Sequence, residues 1–303
     1  MKIKYRRYYI YYTAKFFLSL ARFVPRKIAL WVAGFAGGVG FLLVGKYRRI
    51  AVDNLDEVFP GNHAKNTRIA KDVFRNIAKT GLDWVKLVSM DKESVKGLVT
   101  ETSGLEHLKK ASEAGKGVII LASHFGNWEL ITFYINLIGF KGGIVGRRIY
   151  FYKYDNFMRK LRARFGAEVF YRDDSPKKMF ALLKRGEVLG LGADQDIDSV
   201  EGVFVDFFGK PAYTPTGPVK LAMVTGATIL PSFMIRKPDN SYKFVVEEPI
   251  IVTASEDKEE AVKRCTQTWT NVLEKYVRQH PEQWAWMHKR WKTQETKTGQ
   301  KVQ

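Results

Sequence analysis

The hydrophobic pattern of this chain changes period near residue 117. Between residues 63 and 90, apolar side chains fall at Ile69, Val73, Ile77, Leu82, Val85 and Leu87. That three-to-four spacing predicts a helix with one buried face. From residue 117 onward, short apolar runs alternate with helical patterns. GVIILAS (117–123), residues 143–147, AEVFYR (167–172), EVLGLGAD (187–194), ATILPSFMIR (227–236) and YKFVVEEPI (242–250) read as strands. NWELITFYINLIG (127–139), YKYDNFMRKLRARFG (152–166), SPKKMFALLKRG (175–186) and TPTGPVKLAMVTG (214–226) read as helices, and a long helix from about 255 to 280 closes the pattern. Ser175 suits an N-cap with Pro176 in the first turn, and Gly226 suits a helix end. The alternation predicts an α/β fold: a mixed, largely parallel sheet flanked by helices.

The first fifty residues follow a different rule. Up to Val52 the chain carries eleven Lys and Arg and no acid. Residues 5–24 mix Tyr and Phe with basic residues, the composition of a segment at a lipid–water boundary. Residues 28–45, IALWVAGFAGGVGFLLVG, hold no charge and sit at the lower length limit for crossing a bilayer. Gly34 and Gly38 have GxxxG spacing. The segment reads as a membrane-associating helix, with a buried glycine-rich helix hairpin as the alternative. The division expected is 1–50 for this segment and 51–303 for a catalytic domain.

Charge narrows the partners. The sequence has 50 Lys and Arg against 31 Asp and Glu, a net +19, which favours an anionic partner such as a membrane face or an acidic carrier protein. No nucleic-acid-binding motif accompanies the charge, so no nucleic acid is expected. Cys265 is the sole cysteine, which excludes an internal disulfide and cysteine-rich zinc sites. It reads as a small core residue.

Candidate chemistry collects at the ends of predicted strands, where α/β sheets bind ligands. LASHFGNWEL (121–130) places His124, Gly126, Asn127 and Glu129 where a strand hands over to a helix. His124 with Glu129 as orienting carboxylate would form a general-base pair, and the backbone N–H groups of Gly126 and Asn127 would face the same pocket. A histidine that only hydrogen-bonds within the turn is the competing reading. Arg147 and Arg148 follow another strand and suit phosphate or pantetheine contacts. Asp194 and Asp196 follow a third; without further ligands they make a poor metal site, and no metal or cofactor is expected. Thr214 and Thr216 read as caps, and His288 as structural.

HFGNWE, with histidine and glutamate separated by four residues, resembles the signature of the lysophospholipid acyltransferase superfamily. RRIAVDNLDEVFP (48–60), GRR with RKLRARFG (146–166), GADQD (192–196), FFGKPAYTPTGPVKLAMVTGATILPSF (207–233) and HPEQWAWMHKRW (280–291) resemble, in order, one branch: the late acyltransferases of lipid A biosynthesis. The resemblance implies a glycerolipid-acyltransferase-like fold and transfer of a fatty acyl group from an acyl thioester, acyl carrier protein or acyl-CoA, to a hydroxyl of a lipid A precursor without a covalent enzyme intermediate. It implies His124 as base with Glu129, Arg164 as the arginine lining the site, and Asp196 holding Arg164 or a neighbour. It places the protein at the cytoplasmic face of a bacterial inner membrane. An acyltransferase acting on a lysophospholipid or glycolipid, and a non-catalytic membrane adaptor of the same fold, remain as alternatives.

Overall fold

The computed structural model describes residues 8, 9, 11–13, 23–252, 257–295 and 301–302. Three helices come first: α1 (Arg26–Leu43), α2 (Gly45–Val58) and α3 (His63–Leu87). After α4 (Lys92–Lys96) the chain runs β1 (Val99–Ser103), α5 (Leu105–Glu113), β2 (Val118–Ala122), α6 (Trp128–Leu137), β3 (Gly142–Gly146), α7 (Tyr152–Arg164), β4 (Glu168–Tyr171), α8 (Pro176–Lys184) and β5 (Val188–Gly192). A hairpin of β6 (Gly202–Asp206) and β7 (Pro211–Pro215) interrupts the alternation. Then come α9 (Gly217–Thr225), β8 (Thr228–Arg236), β9 (Tyr242–Val246) and α10 (Lys258–Gln279).

Seven strands form one sheet in the order β1-β9-β8-β2-β5-β3-β4. β8, β2, β5, β3 and β4 are parallel neighbours, β8 and β9 pair antiparallel, and β1 runs parallel to β9. The mixed, mainly parallel sheet agrees with the alternation in the sequence. Central β2 is buried on both faces, which is why VIIL is an uninterrupted apolar run rather than an alternating one. β2 and β5 pair from Val118–Val188 to Ala122–Gly192, so both strands deliver their next residues to the same edge of the sheet.

Local chemistry sets the boundaries. Asp257 accepts from the backbone N–H groups of Glu259 and Glu260 and starts α10. Ser175 and Pro176 start α8, and Gly226 ends α9 in the left-handed conformation.

The apolar helix α1 lies along α3. Its Ala29, Leu30, Gly34, Gly37, Gly38 and Phe41 are buried. A β-carbon at Gly37 would stand 2.6 Å from the Phe74 carbonyl oxygen, so the two helices approach at backbone distance only because the position has none. The GxxxG pair therefore faces another helix of the same chain. The opposite face exposes Trp31, Phe35, Leu42 and Leu43. An apolar stripe of this size on solvent-facing helix surface is a candidate membrane-associating surface. Most of the basic, aromatic stretch 5–24 lies outside the described residues.

Candidate active site

His124 follows β2 and Asp194 follows β5. Because these strands are neighbours in parallel register, residues 70 apart in sequence meet. His124 Nδ1 lies 2.8 Å from Asp194 Oδ1, and the backbone N–H of His124 donates to Asp194 Oδ2 at 2.8 Å. Trp284 Nε1 donates to the same Oδ2 at 3.0 Å. A carboxylate only accepts, so the hydrogen belongs on Nδ1 and Nε2 keeps its lone pair. Burial alone would lower the proton affinity of His124; the Asp194 charge and hydrogen bond, with a smaller contribution from Glu129, outweigh it and raise the pKa above the ordinary value. Burial pushes Asp194 up, but the His124 charge and hydrogen bonds hold it well below the usual carboxylate range.

Glu129 takes another partner. It sits in the first turn of α6 and receives Arg162 of α7 bidentately, Nε to Oε2 at 2.9 Å and Nη2 to Oε1 at 2.5 Å. Arg164 points elsewhere: its Nη2 donates to the Met90 carbonyl at 3.0 Å, and it does not line the cavity beside His124. Helix geometry explains the difference. Met158, Leu161 and Phe165 are buried; Arg162 flanks that face on one side, and Arg164, two residues on and about 200° around the axis, flanks it on the other.

Asp196 does not hold an arginine of α7. Its oxygens accept from Thr293 N and Thr293 Oγ1, both at 2.7 Å, tying the C-terminal segment to the cavity wall. The expected backbone donors are also engaged: Gly126 N–H bonds to Gln283 O at 2.9 Å, and Asn127 N–H to Met234 O at 3.0 Å. Gly126 turns the chain at φ +57°, where a β-carbon would meet the Met234 carbonyl oxygen at 1.9 Å. The Asn127 side chain accepts from Trp84 Nε1 and donates to Tyr242 Oη, both at 3.0 Å, so it braces the turn.

The cavity measures about 820 Å³. Its wall includes His124, Ser123, Glu129, Arg162 and Gln195 together with the apolar Ile120, Ile131, Ile144, Met179, Leu191 and Leu221, and the charged Arg172, Asp198, Glu201, Lys220 and Lys292 line it as well. Arg147 is on the rim; Arg148 instead stacks over Tyr171 at 4.0 Å. Two further groups belong here. Ser123 is buried, and its hydroxyl has no partner among the described residues. Gln195 Nε2 stands 3.2 Å from His124 Nε2 and 2.8 Å from His288 Nε2. His288, read from sequence as structural, is thus a neighbour of His124; burial and then the charge of His124 lower its pKa.

The sequence matches the profile of the bacterial lipid A biosynthesis acyltransferases over residues 1–293. The chain belongs to that family. It is 31% identical over 201 residues to the lipid A biosynthesis lauroyltransferase of Escherichia coli (strain K12), which covers 64% of this chain and 62% of that protein. It is 25% identical over 281 residues to a lipid A biosynthesis acyltransferase of Haemophilus influenzae, covering 90% of this chain and 84% of the relative. A phosphatidylinositol mannoside acyltransferase of Mycobacterium tuberculosis is 28% identical over 195 residues, 62% of this chain and 58% of that protein. The match to the first and third of these relatives spans less than two thirds of their length. For this family member, the histidine of the HFGNWE stretch pairs with a carboxylate from the next strand, while the glutamate of the same stretch pairs with an arginine.

Proposed function

We propose that the protein transfers a fatty acyl group from an acyl thioester to a hydroxyl of a lipid A precursor, with His124 as general base and Asp194 as its orienting partner. The observation that carries this reading is the 2.8 Å His124–Asp194 pair, with His124 in the wall of a mainly apolar cavity of about 820 Å³. His124 Nε2 takes the proton from the acceptor hydroxyl. The alkoxide attacks the thioester carbonyl carbon and forms a tetrahedral oxyanion. Ser123 Oγ and the guanidinium of Arg162, fixed by Glu129, are the donors available to that oxyanion, since the amides of Gly126 and Asn127 are already bonded. The carbon–sulfur bond then breaks, and the proton on Nε2 passes to the leaving thiolate. The acyl group moves in one displacement, and no enzyme side chain is acylated.

An acidic acyl carrier protein suits the net charge of +19 as donor, and acyl-CoA is the alternative. Such thioesters are cytoplasmic, so the exposed face of α1 would sit against the cytoplasmic side of the inner membrane, with residues 51–303 forming the catalytic unit. The test offers purified protein and its His124→Ala variant each donor with a lipid A precursor, a lysophospholipid and a mannosylated phosphatidylinositol. Transfer to the lipid A precursor, reduced about 10³-fold in the variant, is expected. Transfer confined to another acceptor moves the substrate, equal rates in both proteins remove the base, and no transfer with any pair defeats the acyltransferase reading.

A further inference from the structure

The cavity beside His124 reaches both faces of the sheet. Successive residues of β5 point to opposite faces, yet Gly190, Leu191 and Gly192 all line it. On one face its wall is Ile131 and Thr132 of α6, with Arg162 and Glu129 beside them. Thr132 limits this branch: a β-carbon at Gly190 would stand 3.3 Å from its Oγ1. On the other face the cavity runs between α8 and α9, over Leu191.

This second branch is a groove open to solvent. Pro176 and Met179 line it on α8, and Gly217, Leu221 and Val224 line it on α9. Those spacings of three and four put each set on one face of its helix. From Gly217 to Val224 the groove follows α9 for about 10 Å. At its far end Lys184 Nζ reaches the Thr225 carbonyl at 3.5 Å and joins the two helices. Val224 is 65% exposed. The single charge on α9, Lys220, is held by Glu201. The fold thus leaves an apolar helix face uncovered where it continues the catalytic cavity, which is the setting of an apolar ligand.

We infer that the groove between α8 and α9 binds a fatty-acyl chain of the acceptor lipid. The inference rests on the acyl-transfer reading, which brings two chains to His124. The thioester carbonyl has to meet Ser123 and Arg162, so the donor chain takes the branch whose wall holds Arg162. The acceptor is a lipid held at a membrane or micelle surface, and it enters laterally. A groove open along its length admits such a chain sideways, whereas a closed pocket admits only a chain fed end first. The acceptor therefore lies across the end of β5, with its hydroxyl at His124 Nε2 and a chain along Leu191, Leu221 and Val224.

The test reads occupancy of the groove without requiring turnover. Cys265, the sole native cysteine, is buried. Val224→Cys therefore puts one accessible thiol in the groove, and Ile251→Cys, at a 64% exposed position that does not line the cavity, serves as control. Each full-length variant in uncharged detergent is treated with N-ethylmaleimide and followed by mass, with a lipid A precursor, with acyl-CoA, or with detergent alone. The precursor is expected to slow modification of the Val224→Cys thiol about tenfold and to leave the Ile251→Cys thiol unchanged. Protection by acyl-CoA alone gives the groove to the donor and overturns the inference; so does protection by neither, or equal protection of both thiols. Turnover supplies a second readout. Val224→Glu is expected to raise KM for the precursor about tenfold and to leave KM for the donor within about twofold. A rise in donor KM alone, or in neither, overturns the inference. Wild type that transfers no acyl group would defeat the acyl-transfer reading, and maleimide protection would still decide the groove.

Discussion

Asp83 and Asp194 are both 1% exposed and both accept several hydrogen bonds, yet they do different work. Asp83, on α3, is closed in by Arg26 at 2.8 Å, by Arg236 at 2.9 Å and by the hydroxyl of Tyr242. Its charge partners are permanent cations, and it does not line the cavity beside His124. It pins the start of α1 to the sheet. Asp194 has one titratable partner, His124, which is 32% exposed at its side chain and opens onto substrate-sized space. Burial of a carboxylate is therefore uninformative by itself. A partner that can lose its proton, on a ring that lines a cavity, is what distinguishes Asp194 from Asp83 and marks it as the candidate for chemistry.

The comparison is tested most severely by paired substitutions. Asp194→Asn is expected to lower acyl-transfer kcat by about 10³-fold with the fold retained, measured by turnover and circular dichroism. The same variant carries a pH signature. His124 must be neutral to act, and its raised pKa places the acid limb of kcat/KM above about 6.5. Removing the Asp194 charge shifts that limb to lower pH; an unmoved limb would show that another group controls it. Stability follows the opposite sense for the histidine: the contribution of its raised pKa is complete below about pH 6.5 and fades as pH rises through the folded value.

Asp83→Ala is expected to behave in reverse. It strands Arg26 and Arg236 without their counter-charge and costs about 3–5 kcal/mol, read as a loss of Tm or of denaturant midpoint. At a temperature where the variant remains folded, the acid limb of its kcat/KM profile should match wild type. A shifted limb would mean that Asp83 reaches the base through Tyr242 and Asn127.

Smaller effects sharpen the catalytic side. Ser123→Ala is expected to lower kcat about 10²-fold with little change in KM if its unpartnered hydroxyl serves the oxyanion. Loss in KM alone would make it a wall residue. The smallest contrast separates two arginines. Arg162→Lys breaks a bidentate pair with Glu129 and should reduce kcat by about tenfold, whereas Arg164→Lys, on the outer face of α7, should leave kcat within about twofold.

Much of the fold was readable because it follows from local periodicity. The run at 118–122, the helix opened by Ser175 and Pro176, and the helix closed by Gly226 all stand where pattern and caps put them. The hairpin β6–β7 and strand β1 escaped notice. VTETS in β1 is largely exposed at the sheet edge and carries no apolar run, and the helix read over 214–226 starts only at Gly217, because Thr214 and Pro215 end β7. Arg162 and Arg164 flank the apolar face of α7 on either side, so only the contact with Glu129 separates them, and Glu129 resembled a partner of His124 because it is near in sequence.

The sequence alone determined the α/β alternation, the basic apolar N-terminal helix, and the placing of His124 and Asp194 at strand ends, since each depends on residues within one or two turns of each other. Tertiary structure decided which of those end residues meet. β2 and β5 became parallel neighbours, which gave His124 to Asp194. The packing of α6 on α7 gave Glu129 to Arg162, and the hydrogen bonds to Gln283 and Met234 withdrew the backbone amides of Gly126 and Asn127. Those pairings span tens to more than a hundred residues, and no local period records them; they are fixed only when the sheet order brings charges together in a medium too poor in water to leave any of them unpaired.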